Sequence, residues 1–303
     1  MKIKKLHSAL VSNKYVLIIA LAAFSVARLN GNMQDSEIII ATIIHAGIAL
    51  FMIQINNAFN IIRTRTVLPV VIYILLCSAK KQPYDDINGS VTALCVALSY
   101  FFMLSSFQSK RAEVQSLNIS IIITTGSLIW TPLMLFFPFT WYGFYRMKSW
   151  NRRIIPAAIA GYAGVYLVLF AWSAYRGNIA GFVQYLPETK EIFMLQYHKP
   201  SVTEWIFTGL TLAIYLHAGF NLYVSAISEN IRTIFSLQSI YFPSLFMIIM
   251  SFLQPKWVTV LYIPLSIVIS YLFTDTKSPY RQYLCLTFII AAMSIGILEY
   301  LNA

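Results

Sequence analysis

Reactive side chains are sparse in this chain, and they gather in two kinds of place. Acids crowd two short polar stretches, Asp35 and Glu37 in the first, Asp85 and Asp86 in the second. Cations stand beside them at Arg28, Lys80 and Lys81, with Arg176 further along. Inside the apolar runs the polar exceptions include His45, His217 and Asn221, the last two four residues apart and so on one face of a helix. Each of these can hydrogen-bond a neighbouring helix, so the plain reading of the two histidines is structural. No GxxxxGK[ST], GxSxG, HExxH or CxxC occurs, and Ser, His and Asp are scattered over different loops. The three cysteines, Cys77, Cys95 and Cys285, lie in or beside apolar runs; their odd number and spacing suggest packing, with neither a disulfide framework nor a zinc site. No metal or cofactor is expected. Any chemistry must therefore use the loops and the groove they enclose.

The elements that carry these residues follow from composition. Of 303 residues 58% are apolar and 11% charged, where an ordinary soluble domain has about 25% charged. Mean hydropathy is +0.69. A soluble enzyme, a disordered chain and a secreted disulfide scaffold are excluded. The fold class is all-α: a polytopic helical membrane protein with about 10–11 transmembrane segments and short loops, one integral membrane domain over residues 1–303. The net charge of +11 is the basic excess that orients membrane helices, and no basic run interleaved with aromatics suggests nucleic acid. Membrane lipids are the expected partners.

Apolar runs fall at Tyr15–Leu29, Ile38–Ile55, Val67–Ala79, Ile87–Phe107, Leu117–Tyr145, Ile154–Ala174, Trp205–Ile227, Ser236–Leu253, Trp257–Phe273 and Tyr283–Leu298. The first follows Lys2, Lys4, Lys5 and Lys14 and resembles a signal peptide, but Arg28 comes at once and the rest is membrane-embedded. It reads as an uncleaved helix entered from the cytoplasm. The third run is short and is extended by borrowing Ala58–Ile62. The fifth is too long for one untilted span. Taken as one helix it leaves 12 Lys/Arg inside and 10 outside; broken near Trp130-Thr131-Pro132 it leaves 15 and 7. The positive-inside rule selects the second, and Pro132 supplies a local cause for the break. Pro69, Pro132, Pro138, Pro156, Pro243 and Pro264 are read as kinks, and Trp150, Trp205 and Trp257 as interfacial anchors. The longest loop, residues 175–204, falls on the outer face, with Ile179–Tyr185 and Glu191–Tyr197 patterned like surface helices.

The order of these parts resembles the membrane module of GT-C glycosyltransferases. Acids Asp35 and Glu37 follow helix one, and Lys80-Lys-Gln-Pro83-Tyr-Asp85-Asp86 forms the second outer loop. Gly126, Trp-Thr-Pro132 and the basic exit Arg146–Arg153 then lead through a long span to the loop at 175–204. The likeness is one of layout and covers residues 1–204; residues 205–303 add the C-terminal helices. It implies transfer of a sugar from a polyprenyl-phosphate-linked substrate at the outer face. Asp35 or Glu37 would act as catalytic base and Asp85 or Asp86 as a second acid, with Arg28, Lys80, Lys81 and Arg176 binding the phosphate. A second stretch, Asn57–Pro69 with Gly126-Ser-Leu128 and Arg146…Arg152, resembles a group of uncharacterised Bacteroidota inner-membrane proteins. That likeness implies residence in the bacterial cytoplasmic membrane, and no reaction. Two other readings stay open: a transporter or flippase for a lipid or small solute, with a polar cavity reaching His45, His217 and Asn221, and a non-catalytic subunit of an envelope complex. Whether the protein is catalytic is left open by the sequence.

Overall fold

The computed structural model describes residues 36–62, 66–79, 86–178, 182, 185–186, 202–224, 230–274 and 279–301. Within them the chain is helical, with no strand. In lipid, apolar segments must satisfy every backbone N–H and C=O internally, and a helix does so within one segment. The helices are α1 (Ser36–Phe59), α2 (Leu68–Ser78), α3 (Ile87–Ser105), α4 (Ala112–Ile129), α5 (Phe137–Arg146), α6 (Ile154–Tyr175), α7 (Val202–Val224), α8 (Ile231–Leu253), α9 (Trp257–Thr274) and α10 (Pro279–Leu301). Six of them, α1, α3, α6, α7, α8 and α9, are long and apolar enough to cross a membrane. The protein is an all-α, multi-pass membrane protein. The first expected span, Tyr15–Leu29, lies outside the described residues, as does most of the loop after Asn178.

Two helices form the core. Leu68 to Cys77 of α2 are buried without exception, and α9 is buried along nearly its whole length. At 11 residues, α2 is about 16 Å long, too short to cross lipid alone, and its burial inside the bundle removes the need. The borrowing of Ala58–Ile62 does not occur. Ala58 and Phe59 complete α1, and Asn60 turns the chain with φ of 49°. On the periphery, α6 turns Ile159, Leu167, Val168 and Phe170 outward, as a lipid-facing helix should.

The fifth apolar run is two arms of a hairpin. Trp130 is extended at φ −144°, ψ 99°, Pro132 falls in the 3₁₀ turn Thr131–Phe136, and α5 then returns. At the tip Trp130 packs edge-on against Trp257, the first residue of α9, at 4.9 Å. At the base the Gln108 N–H donates to Met147 O at 3.1 Å, Ser106 and Ser149 share a hydroxyl contact of 3.2 Å, and Asn151 donates to Glu113 at 3.0 Å. Both ends of the hairpin thus lie at the Ser106 end of the bundle, as the charge count requires.

Two expectations change. Pro69, Pro132 and Pro138 occupy the first two positions of their helices and Pro156 the third of α6, where a missing N–H costs little. Only Pro243 and Pro264 are interior. Near Pro243 the Tyr215 hydroxyl donates to Tyr241 O at 2.8 Å and also meets Ser244, so the disturbed turn is supported from α7. Trp150 and Trp205 are exposed, but Trp257 is fully buried against Trp130 and Phe246 and is a core residue, not an anchor.

Candidate functional site

Asp86 opens α3. Its extended backbone (φ −125°, ψ 100°) turns the carboxylate back over the helix, where Oδ1 accepts from the Asn88 N–H at 3.0 Å. This is the N-cap geometry that Asp favours, and it places negative charge at the positive end of the helix dipole. The other oxygen, Oδ2, lies 3.3 Å from Lys256 Nζ. Lys256 sits in the turn between α8 and α9, so the pair ties the starts of α3 and α9 together. A methyl group at Gly89 would stand 3.3 Å from Asp86 Oδ2 and 3.5 Å from Thr259 Oγ1, so a side chain there would crowd the join. The Lys256 and Asp86 side chains are 37% and 25% exposed; a pair this open contributes at most about 1 kcal/mol. Its content is chemical, an acid and a base held together at the bundle's surface.

Beneath it a hydrogen-bonded chain runs inward. Ser90, one turn into α3, donates from Oγ to Asp86 O at 3.0 Å and stands 3.0 Å from His45 Nε2. His45 Nδ1 lies 2.7 Å from the Tyr73 hydroxyl. His45 on α1 therefore bridges α2 and α3, buried with Ser90 and Tyr73. With the Ser90 hydroxyl proton directed at Asp86 O, the consistent assignment has His45 Nε2–H donating to Ser90 and Nδ1 accepting from Tyr73. Such a chain of hydroxyls and imidazole can pass a proton or simply hold three helices in register.

A second polar cluster lies between α7 and α10. Asn221 Nδ2 donates to His217 O at 2.8 Å and lies 3.1 Å from His217 Nε2, confirming their shared helix face. Arg281 donates to Asn221 Oδ1 at 2.5 Å, and the Tyr280 ring meets His217 edge-on at 5.9 Å. The contacts described for His45 reach α2 and α3, and those described for His217 reach α10.

Of the two singled-out acids among the described residues, Glu37 and Asp86, it is Asp86 that is engaged here. Glu37 is exposed in the first turn of α1, where its charge complements the dipole. Arg176 is exposed and stacks its guanidinium 4.6 Å over Trp172; the cation described beside Asp86 is Lys256. Arg28, Asp35, Lys80, Lys81 and Asp85 lie outside the described residues. Lys256 and Arg281 were missed in the sequence. Lys256 had a signal: it is the lone charge between the eighth and ninth runs, on the same expected side as Asp86. Among the described residues no three His, Cys, Asp or Glu gather as metal ligands.

Fold and site define a class, a polytopic α-helical membrane protein with an acid–base pair at one end of its bundle. Against family models, curated proteins and solved structures the chain finds no match.

Proposed function

We propose that the protein resides in the bacterial cytoplasmic membrane with its N-terminus in the cytoplasm and acts at the outer face on a polyprenyl-phosphate-linked sugar. The observation that carries this reading is the Asp86–Lys256 pair, 3.3 Å apart at the starts of two bundle helices and open to solvent. In the resting protein the two neutralise each other. A phosphate arriving at the surface draws the flexible ammonium of Lys256 to its oxygens, which frees Asp86 Oδ2. An acceptor hydroxyl then attacks the anomeric carbon and gives its proton to Asp86 as the C–O bond to phosphate breaks. Polyprenyl phosphate leaves with the electron pair, its charge held by Lys256. Glu37 in the first turn of α1, and Asp35 and Asp85, adjacent in sequence to α1 and to Asp86, are the further acids of this reading, with Arg28, Lys80, Lys81 and Arg176 its remaining phosphate contacts.

The test is native mass spectrometry of the full chain in mild detergent. Wild type carries a polyprenyl-phosphate species; Asp86→Asn accumulates the sugar-bearing form, and Lys256→Ala loses the species. Bulk phospholipid alone on all three proteins, each with unchanged melting, sinks the reading. A lipid or solute transporter is the second reading, favoured by the buried Tyr73–His45–Ser90 chain. Under it His45→Ala abolishes proton-coupled uptake in vesicles while Asp86→Asn leaves it intact.

A further inference from the structure

At the opposite end of the bundle three cations converge on aromatic rings. Arg146 closes α5 and holds its guanidinium carbon 5.2 Å from the centre of the Phe235 ring; Lys148 Nζ lies 4.9 Å from the same ring. Arg232, in the first turn of α8, stands 5.6 Å from both Phe59 and Phe107. Arg232 and Phe235 are three apart on α8 and share a face. The bond from Gln108 N–H to Met147 O sets Phe107 beside the Arg146–Lys148 turn. The three cations therefore border one patch.

The patch is built rather than incidental. Antiparallel α5 and α8 mesh through aromatic pairs, Phe139 with Phe246 at 4.7 Å and Tyr142 with Phe242 at 5.3 Å. Beyond these pairs Arg146, one turn further along α5, lies over the Phe235 ring two turns back along α8. Lys148 adopts φ of 52°, a left-handed conformation that costs any side-chain-bearing residue free energy, and so the turn is held by its surroundings. Most telling, Arg146 Nε and Arg232 Nε are both buried from solvent with no hydrogen-bond acceptor among the described residues. An unmet buried donor is costly, and an oxyanion would relieve it. Among the described residues no acid pairs with these cations; Glu113 nearby accepts from Asn151. Arg232 also sits in the first turn of α8, where a positive charge opposes the helix dipole and an anion would reconcile them.

We infer that Arg146, Lys148 and Arg232 form a binding site for a phosphate oxyanion, with the phenylalanine rings as its apolar floor. The phosphate comes on a lipid headgroup or as a free ion. The site is independent of the Asp86 reading and lies at the other end of the molecule.

Thermal unfolding of the full chain in mild detergent distinguishes the sources. Phosphatidylglycerol vesicles raise the melting temperature over phosphatidylcholine by linkage, if the phosphate belongs to an anionic lipid. Inorganic phosphate raises it without lipid, if the ion is free. In either case Arg146→Gln/Arg232→Gln weakens the apparent affinity about tenfold or more. A Lys110→Gln/Arg153→Gln control removes two charges at the same end and keeps the response. Should the first double variant fail to fold, Lys148→Gln, on an exposed side chain, still weakens binding about fivefold. Equal responses from all variants, or no response to either phosphate source, overturn the site.

Discussion

Glu113 shows how much one exposed carboxylate can report. Its carboxyl is held below the ordinary value of 4.5, first by its own backbone N–H at the start of α4, then by the Asn151 side chain, with smaller help from Arg153 and Arg111. A depressed folded-state value means stability that is present above 4.5 and lost as pH falls through the lower value. The melting difference between wild type and Glu113→Gln is therefore constant near neutrality and closes on acidification; a difference that grows instead overturns the assignment. In the buried chain, Tyr73→Phe deletes the hydroxyl 2.7 Å from His45 Nδ1 and destabilises the fold by about 1–2 kcal/mol. Denaturant melts in detergent read this directly, and an unchanged midpoint excludes the bond. His45 was legible as a polar exception in an apolar run, but its partners were not: they come from helices 28 and 45 positions away.

Between helices, small residues decide distance. On α6 a methyl at Gly161 would meet Leu117 O and Ser120 Cβ at 2.8 Å, while one at Gly164 meets nothing within 4 Å. Ser116 and Ser120 of α4 donate across this seam to Ile154 O at 2.8 Å and Ala158 O at 2.5 Å. Gly161→Ala must push the backbones apart and costs about 1–3 kcal/mol, whereas Gly164→Ala meets open space and gains up to about 1 kcal/mol of helix propensity. Thermal melts of the two variants side by side check this; equal melting denies the close approach. In the sequence the two glycines look alike, because their ranking depends on which face meets α4. The hairpin break was legible because Pro132 and the basic exit loop agree. The burial of α2 and Trp257 was not, because a core helix and a membrane span are both simply apolar, and the difference lies in what surrounds them.

For the molecule as a whole, composition alone gave away the solvent and class, while the site depended on long-range pairing such as Asp86 with Lys256. The parity of the helices predicts sidedness. Single cysteines at Lys110 and Arg152 react with an impermeant thiol reagent from the same face, and one at Arg176 from the other; the native Cys77 and Cys285 are buried. Labelling of 110 and 152 from opposite faces would refute the hairpin. That hairpin has a bearing on biogenesis. From Leu117 to Tyr145 it carries no charged side chain, and its tip, Trp130 to Phe136, is almost wholly apolar. During synthesis the translocation machinery need carry no ion through the hydrocarbon to seat it. The two arms can enter from one side as a folded pair after the earlier helices, their basic ends staying together on the side from which they enter.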